Sequence, residues 1–158
     1  MNTARALFLS ALLFFGTLPP GVLANPTNPS VQAGSATFST SGSTSIIHQG
    51  SDRVIINWDT FSIQHGETTR FIQPNSMSAA LNRVTSGNPS AIYGNLQANG
   101  RVLLINPNGI LVGPGGRIDT AGFLGSTLDV SDSDFLGGGD MIFSGNSSAK
   151  IVNLGTIN

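Results

Sequence analysis

The sequence predicts an all-β solenoid, short strands wound into a coil and stacked rung on rung. Three observations carry that reading. Apolar segments of four to six residues recur along the chain, many of them β-branched, each bounded by Gly, Asn, Asp, Pro or Ser. Segments such as VLLI and GILV are continuously apolar instead of alternating, so they keep little solvated face, which a coil stacked above and below tolerates. The punctuating clusters are longer than the two-residue turns of hairpins and centre on Asn. A sandwich of hairpins is the competing architecture for strands this short, and Asn99-Gly100 is a pair that suits it.

Taken in order, residues 1–24 read as a signal peptide. Arg5 supplies a positive start, ALFLSALLFF an apolar run, and Val22-Leu23-Ala24 small residues before a cut at Asn25. That run reaches only about half way across a bilayer core, which argues against an anchor. Residues 25–34, opening with NPTNPS, read as an extended, unstructured lead, and 35–158 as the folded domain. GSATFSTSGSTSIIHQG offers one or two strands. RVIINW, TFSI, TRFI, ALNRV, RVLLIN, GILVG, GRIDT, STLDV, DMIF and AKIV follow, while SMSAALNRV admits one or two helical turns instead. Asn106-Pro-Asn-Gly109-Ile110 is echoed 47 residues on by Asn153-Leu-Gly155-Thr-Ile157, a spacing of about two coils. The chain stops inside that echo with no polar cap or closing helix, so it reads as the amino-terminal piece of something longer, incomplete at its carboxyl end.

Composition narrows the function. Seven basic and eight acidic residues are scattered, with no Lys/Arg cluster to neutralise phosphates, which excludes nucleic acid as a partner. Cysteine is absent, so an exported chain of this kind relies on backbone pairing and stacked apolar side chains instead of disulfides.

The glycine-rich stretch INPNGILVGPGG admits a phosphate cradle or a pair of corners. A P-loop needs Gly-Lys-Ser/Thr, and the sole lysine, Lys150, is far from any such run; G-x-G-x-x-G fails because Ile118 stands where the third glycine belongs. As a turn, Asn106-Pro107-Asn108-Gly109 puts Pro at i+1 and Gly at i+3 of a type I turn. Gly113-Pro-Gly-Gly116 makes the next corner.

The run AALNRVTSGNPSAIYGNLQANGRVLLINPNGILVGPGGRIDTAGFLGSTLDVSD resembles the amino-terminal secretion domain of two-partner-secretion exoproteins, the filamentous-haemagglutinin type, or haemagglutination activity domain. VIINWDTFSIQHGETTRFIQPN, residues 54–75, resembles the same domain, and the resemblance as a whole is taken to cover about residues 35 to 132. The resemblance implies a right-handed parallel β-helix with an amino-terminal β cap. It also implies Sec export to the periplasm of a Gram-negative bacterium. A cognate outer-membrane transporter with periplasmic recognition domains then passes the chain to the cell surface or medium. Asn106, Pro107, Asn108, Gly109 and Ile110 match the family's secretion-linked motif, and Pro74 and Asn75 match the centre of a second motif.

Other residues favour plain roles. His48 and His65 lack ligand spacing, so no metal or other cofactor is expected. Trp58 is expected to pack under the cap. Asp129, Asp132, Asp134 and Asp140 read as a solvated loop, the nine-residue repeat of calcium β-rolls being absent. The leading reading is the secretion domain of an adhesin- or haemagglutinin-like exoprotein that is not an enzyme, with host or bacterial surface receptors met through other regions. Alternatives are the delivery domain of a contact-dependent toxin and a β-helix polysaccharide-degrading enzyme, the latter needing Asp and Arg aligned on one face.

Overall fold

The computed structural model describes residues 25–158, so the signal peptide expected over 1–24 lies outside the described residues. From Thr44 onward the chain visits three sheets in cyclic order. The first coil places β3 (Thr44–Gln49) in one sheet and β4 (Arg53–Trp58) in a second, and its third side, around Ile63, bridges to Ile92. The second coil runs β5 (Thr68–Ile72), β6 (Ala79–Val84), β7 (Ser90–Ile92). The third runs β8 (Asn95–Ala98), β9 (Arg101–Ile105), β10 (Ile110–Val112). β11 (Arg117–Asp119) and β12 (Gly122–Ser126) begin the fourth. A detour then carries β13 (Asp129–Val130), α1 (Asp132–Gly137) and β14 (Phe143–Ser144) before β15 (Ile151–Asn153) and β16 (Thr156–Ile157) rejoin the stack.

Consecutive coils pair in parallel register, Arg53↔Ala79↔Arg101↔Gly122 on one side and Thr68↔Asn95↔Arg117↔Thr156 on another. β8 and β9 belong to different sheets, so Asn99-Gly100 is a corner of the coil and not a hairpin turn. The expected echo does not stack as read: Asn153 pairs with Val112 and Ile157 with Ile118, while Ile110 pairs with Ile151. The detour lengthens that coil and breaks the simple period.

The amino-terminal segment is extended but not unstructured. Thr27 bridges Thr60, and β1 (Ser30–Ala33) lies antiparallel on β4, with a register break between Val31 and Ala33. β2 (Ala36–Ser41) lies antiparallel on β3. These two strands are the cap. SMSAALNRV is strand from Ala79, since Leu81 and Val84 are drawn into pairing and burial that override local helix preference. TFSI forms only bridges at Thr60 and Ile63, and STLDV is broken where the Ser126 hydroxyl accepts from Leu128 N and donates to its carbonyl.

Stacked side chains fill the coil. Val54, Ala80, Val102 and the partly buried Phe123 make one inward ladder, and Phe71, Leu96, Ile92, Val112 and Ile118 line the other sides. Trp58 is buried beneath the cap, edge-on to Phe38 and Phe61 with ring centroids 5.6 Å away in each case. Its Nε1 donates to Asn82 Oδ1 at 2.9 Å, and Asn82 Nδ2 donates to the Ala80 and Leu103 carbonyls, so this core amide is satisfied at both ends.

The continuous apolar runs have a cause beyond stacking. Rungs above and below cover strand edges, not faces. The outer face of the β1-β4-β6-β9-β12 sheet is buried because the detour folds over it. Val130, Phe135, Met141 and Phe143 pack on Ile55, Ala79, Leu81, Leu103 and Ile105. A sheet buried on both faces reads as unbroken aliphatic sequence.

Truncating the fully buried Phe135 to Ala is expected to lower unfolding stability by about 3–5 kcal/mol in urea titration. Leu136→Ala, at an exposed neighbour, is expected to shift it by less than about 0.5 kcal/mol.

Candidate functional site

Two corners carry the residues singled out from the sequence. At the first, Asn106 N donates to Ser126 O across to the next coil, and Gly109 N donates to Asn106 O at 3.1 Å, closing the expected turn with Gly109 at φ +111°. Asn106 is fully buried. Its Oδ1 accepts from Asn108 N at 2.9 Å and Asn108 Nδ2 at 3.2 Å; its Nδ2 donates to Asn88 O and Ser90 Oγ. Asn108 Nδ2 also reaches Ser86 O at 2.8 Å. One asparagine thus folds its own corner and staples it to the coil before.

The following coil closes over the same corner. Ile110 N donates to Lys150 O and Ser147 Oγ donates to Pro107 O at 2.6 Å, while from the coil before Ser90 N donates to Gly109 O. A Cβ at Gly109 lies 3.1 Å from Lys150 O, so its positive φ and the approach of this rung both favour glycine. Ile110 points into the core; Pro107 and Asn108 face solvent. The five motif residues are mostly interior, and only two are exposed.

The second corner, Gln73 to Ser78, uses the same device. Pro74 and Asn75 are exposed, and Asn75 Oδ1 accepts from Met77 N and Ser78 N. The inward residue here is Gln73. Its Nε2 donates to Gln49 Oε1 at 2.9 Å, with longer contacts to Ser78 O and Arg101 O, and its Oε1 accepts from Gly100 N. Gln49 in turn donates to Ser51 O and Ala79 O, and Asn99 brackets the Gln73 backbone through both its N and O. Gln49, Gln73, Ser90 and Ser147 escaped sequence reading. The legible trace was a glutamine closing both IIHQ and RFIQ, 24 residues apart, about one coil.

Charged groups serve the detour. Arg83 donates from Nε to Asp129 at 2.8 Å, from Nη1 to Asp132 at 2.6 Å and from Nη2 to Val130 O. Burial opposes its charge, but the bonds and field of Asp129 and Asp132 outweigh that and hold its pKa above the usual value. The expected solvated aspartate loop is therefore only part solvated: Asp129 and Asp132 are half exposed but committed to Arg83, and Asp134 N is capped by Ser131 Oγ at the start of α1. Arg53 Nη1 reaches Phe135 O at 2.7 Å and its guanidinium lies over the Phe135 ring.

Residues 73–78 and 106–110, which form the two corners, hold no charged side chain. Arg70, Gln97 and Asp119 share one row of an outer face, yet Asp119 bonds Arg117 and the row holds no second carboxylate, where glycoside hydrolysis uses a pair. His65 leans on Tyr93 and His48 is exposed; among the described residues no three side chains are grouped to hold a metal. What the corners do chemically is fix strand ends.

Asn106→Ala leaves the Ser90 hydroxyl, the Asn88 carbonyl and the Asn108 amide without their partner. It is expected to cost about 1–3 kcal/mol in denaturant unfolding, and Pro107→Ala well under 1 kcal/mol.

Comparison with known proteins agrees with this fold. The crystal structure of the HMW1 secretion domain from Haemophilus influenzae superposes with a TM-score of 0.78 at 40% identity, covering 84% of this chain and 36% of that one. The filamentous hemagglutinin secretion domain matches with a TM-score of 0.50 at 18% identity, over 68% of this chain and 43% of that one, and supports the fold alone. A heme/hemopexin-binding protein of Haemophilus influenzae is 42% identical over 105 residues, 66% of this chain. A second protein of that name is 46% identical over 84 residues, 53% of this chain. The matched regions span only 12% and 9% of those two proteins. The family model described as "TPS secretion domain" matches residues 21–158, nearly all of the chain, and the chain belongs to that family.

Proposed function

We propose that this chain is the amino-terminal secretion module of a larger adhesin- or haemagglutinin-like exoprotein. Sec export takes it to the periplasm, a cognate outer-membrane transporter recognises it through periplasmic domains, and it folds as a solenoid on the outer surface of a Gram-negative cell. The family match over residues 21–158 carries this reading. The module is read as non-enzymatic, and any surface receptor belongs to other regions of the exoprotein.

The physical chemistry suits passage unfolded through a pore. Without cysteine no disulfide loop forms in an oxidising periplasm. Outside, each coil pairs with the one already formed, so stability accumulates by neighbour addition and opposes backsliding. In this reading Asn106 to Ile110 act as a folding determinant: the corner closes on itself, staples to the coil before it, and the next coil seals it. Pro74 and Asn75 have the same role one coil earlier.

Replacing Asn108 and Gly109 together by Val tests the motif. A branched side chain at φ +111° against Lys150 O is strained, and Asn108 loses its bond to Ser86 O. In cells carrying the transporter, the processed chain is expected to accumulate in the periplasm with release at least tenfold below the parent. Parental release would refute the motif's role.

A further inference from the structure

The end of the solenoid that the chain lays down first is bounded by two edge strands, β1 and β2, and they are unlike. β1 carries a register break between Val31 and Ala33, a bulge of the kind that spoils an edge for further pairing. β2 runs against β3 in unbroken register from Ala36↔Gln49 to Ser41↔Thr44. It has no charge, proline or bulge, the devices by which natural edges avoid recruiting strands. The whole stretch from Gly34 to Ser51 lacks Asp, Glu, Lys and Arg. Every β2 side chain after Ala36 is exposed, and the Phe38 ring, edge-on to Trp58, is 39% open.

The backbone direction is also legible. Gly50 N donates to Ser35 O, so that pair is hydrogen-bonded. Alternation along an antiparallel ladder then turns the N–H and C=O of Ala36, Phe38 and Thr40 away from β3 and into the open edge. Among the described residues no backbone bond to these groups from a further strand occurs.

The β2–β3 unit differs from the coils in a second way. A two-residue turn, Gly42-Ser43, joins its strands, with Gly42 at φ +58°, whereas the shortest parallel pairing, Ile110 with Ser90, spans 20 residues. Hairpins close in about 1–10 μs, and pairings of greater separation lag behind. The β2–β3 ladder needs no distant partner, so it is the first pairing available while the coils are still apart, although Ile47 and Phe38 find their packing only when the other rungs arrive.

We infer that the open edge of β2 receives an extended strand from the transporter's periplasmic domain, backbone to backbone, before the coils form. This rests on the transporter reading above and assigns it a contact. A second copy of the chain is the competing occupant. The transporter is favoured because, in the reading above, it meets the chain before the coils pair, when this local ladder is the first available, and β2 stays an open edge after β5 covers β3.

The test uses the full chain in cells with the transporter. Thr40→Pro deletes an N–H that points into the open edge while sparing the β2–β3 ladder; Ser39→Lys puts a charge on that strand; Thr40→Val keeps the N–H. Release of Thr40→Pro and Ser39→Lys is expected to fall at least tenfold, with the processed chain held in the periplasm and weaker capture of urea-diluted chain by purified periplasmic domains. Thr40→Val is expected to match the parent. Circular dichroism after refolding from urea checks the fold, and if Thr40→Pro fails to refold, Ser39→Lys decides. Parental release of the refolding edge variants overturns the inference. So does a parent that dimerises through this edge while its variants are monomeric and released normally. A parent whose release does not depend on the transporter sinks the transporter reading itself. Retention of the Asn108/Gly109 double variant with free release of both edge variants sinks the edge alone.

Discussion

Each coil takes its backbone hydrogen bonds from the coil before it and offers its own to the coil after, and this neighbour pairing in parallel register is what the rest of the molecule is built around. Register puts like positions in columns, so Val54, Ala80, Val102 and Phe123 form one inward stack and Thr69, Leu96 and Ile118 another. A slip of one residue turns every column inside out, since strand side chains alternate between faces. Register therefore has to be set where strands begin and end. The corners do this with buried amides: Asn106 and Gln73 each bond backbone or side chains of adjoining coils, and neither leaves a polar atom unpaired.

The detour between Ser126 and Ile151 adds contacts that skip neighbours. Arg53 in the first coil reaches Phe135, and Arg83 in the second reaches Asp129, Val130 and Asp132, all supplied by the fourth. A solenoid linked only to neighbours frays from its ends, one unit at a time. A strap across the outer face makes early coils depend on late ones. It also explains why a single sheet is buried on both sides while the sheet carrying Arg70, Gln97 and Asp119 faces water.

The class of fold was legible because aliphatic runs bounded by Asn, Gly and Pro are a direct imprint of short strands and tight corners. The turn at Asn106 to Gly109 was legible to the residue, because Pro at i+1 and Gly at a positive φ leave few other conformations. The strands Ser90–Ile92 and Asn95–Ala98 were not, being three and four residues long, with pairing in the stack deciding them. The lead before residue 35 was read as loose because Asn-Pro repeats suit an extended chain equally well whether free or paired on β4. The detour was hidden for a similar reason: Gly-rich, Asp-rich sequence looks solvated until Arg83, 46 residues away, gives it a counter-charge. Of the site, the local hydrogen bonds were readable and the stapling partners in other coils were not.

The central claim is that parallel rungs stay apart while the chain crosses the outer membrane and pair outside. Arg70 and Gln97 are register partners on the solvent face of adjacent coils, in a chain with no native cysteine to confuse the result. Arg70→Cys with Gln97→Cys, oxidised in the periplasm, should form a crosslink that stalls release until a reductant is added, and should form readily in released chain. Release of the crosslinked chain at the parental rate, or failure of released chain to crosslink in that register, would contradict it.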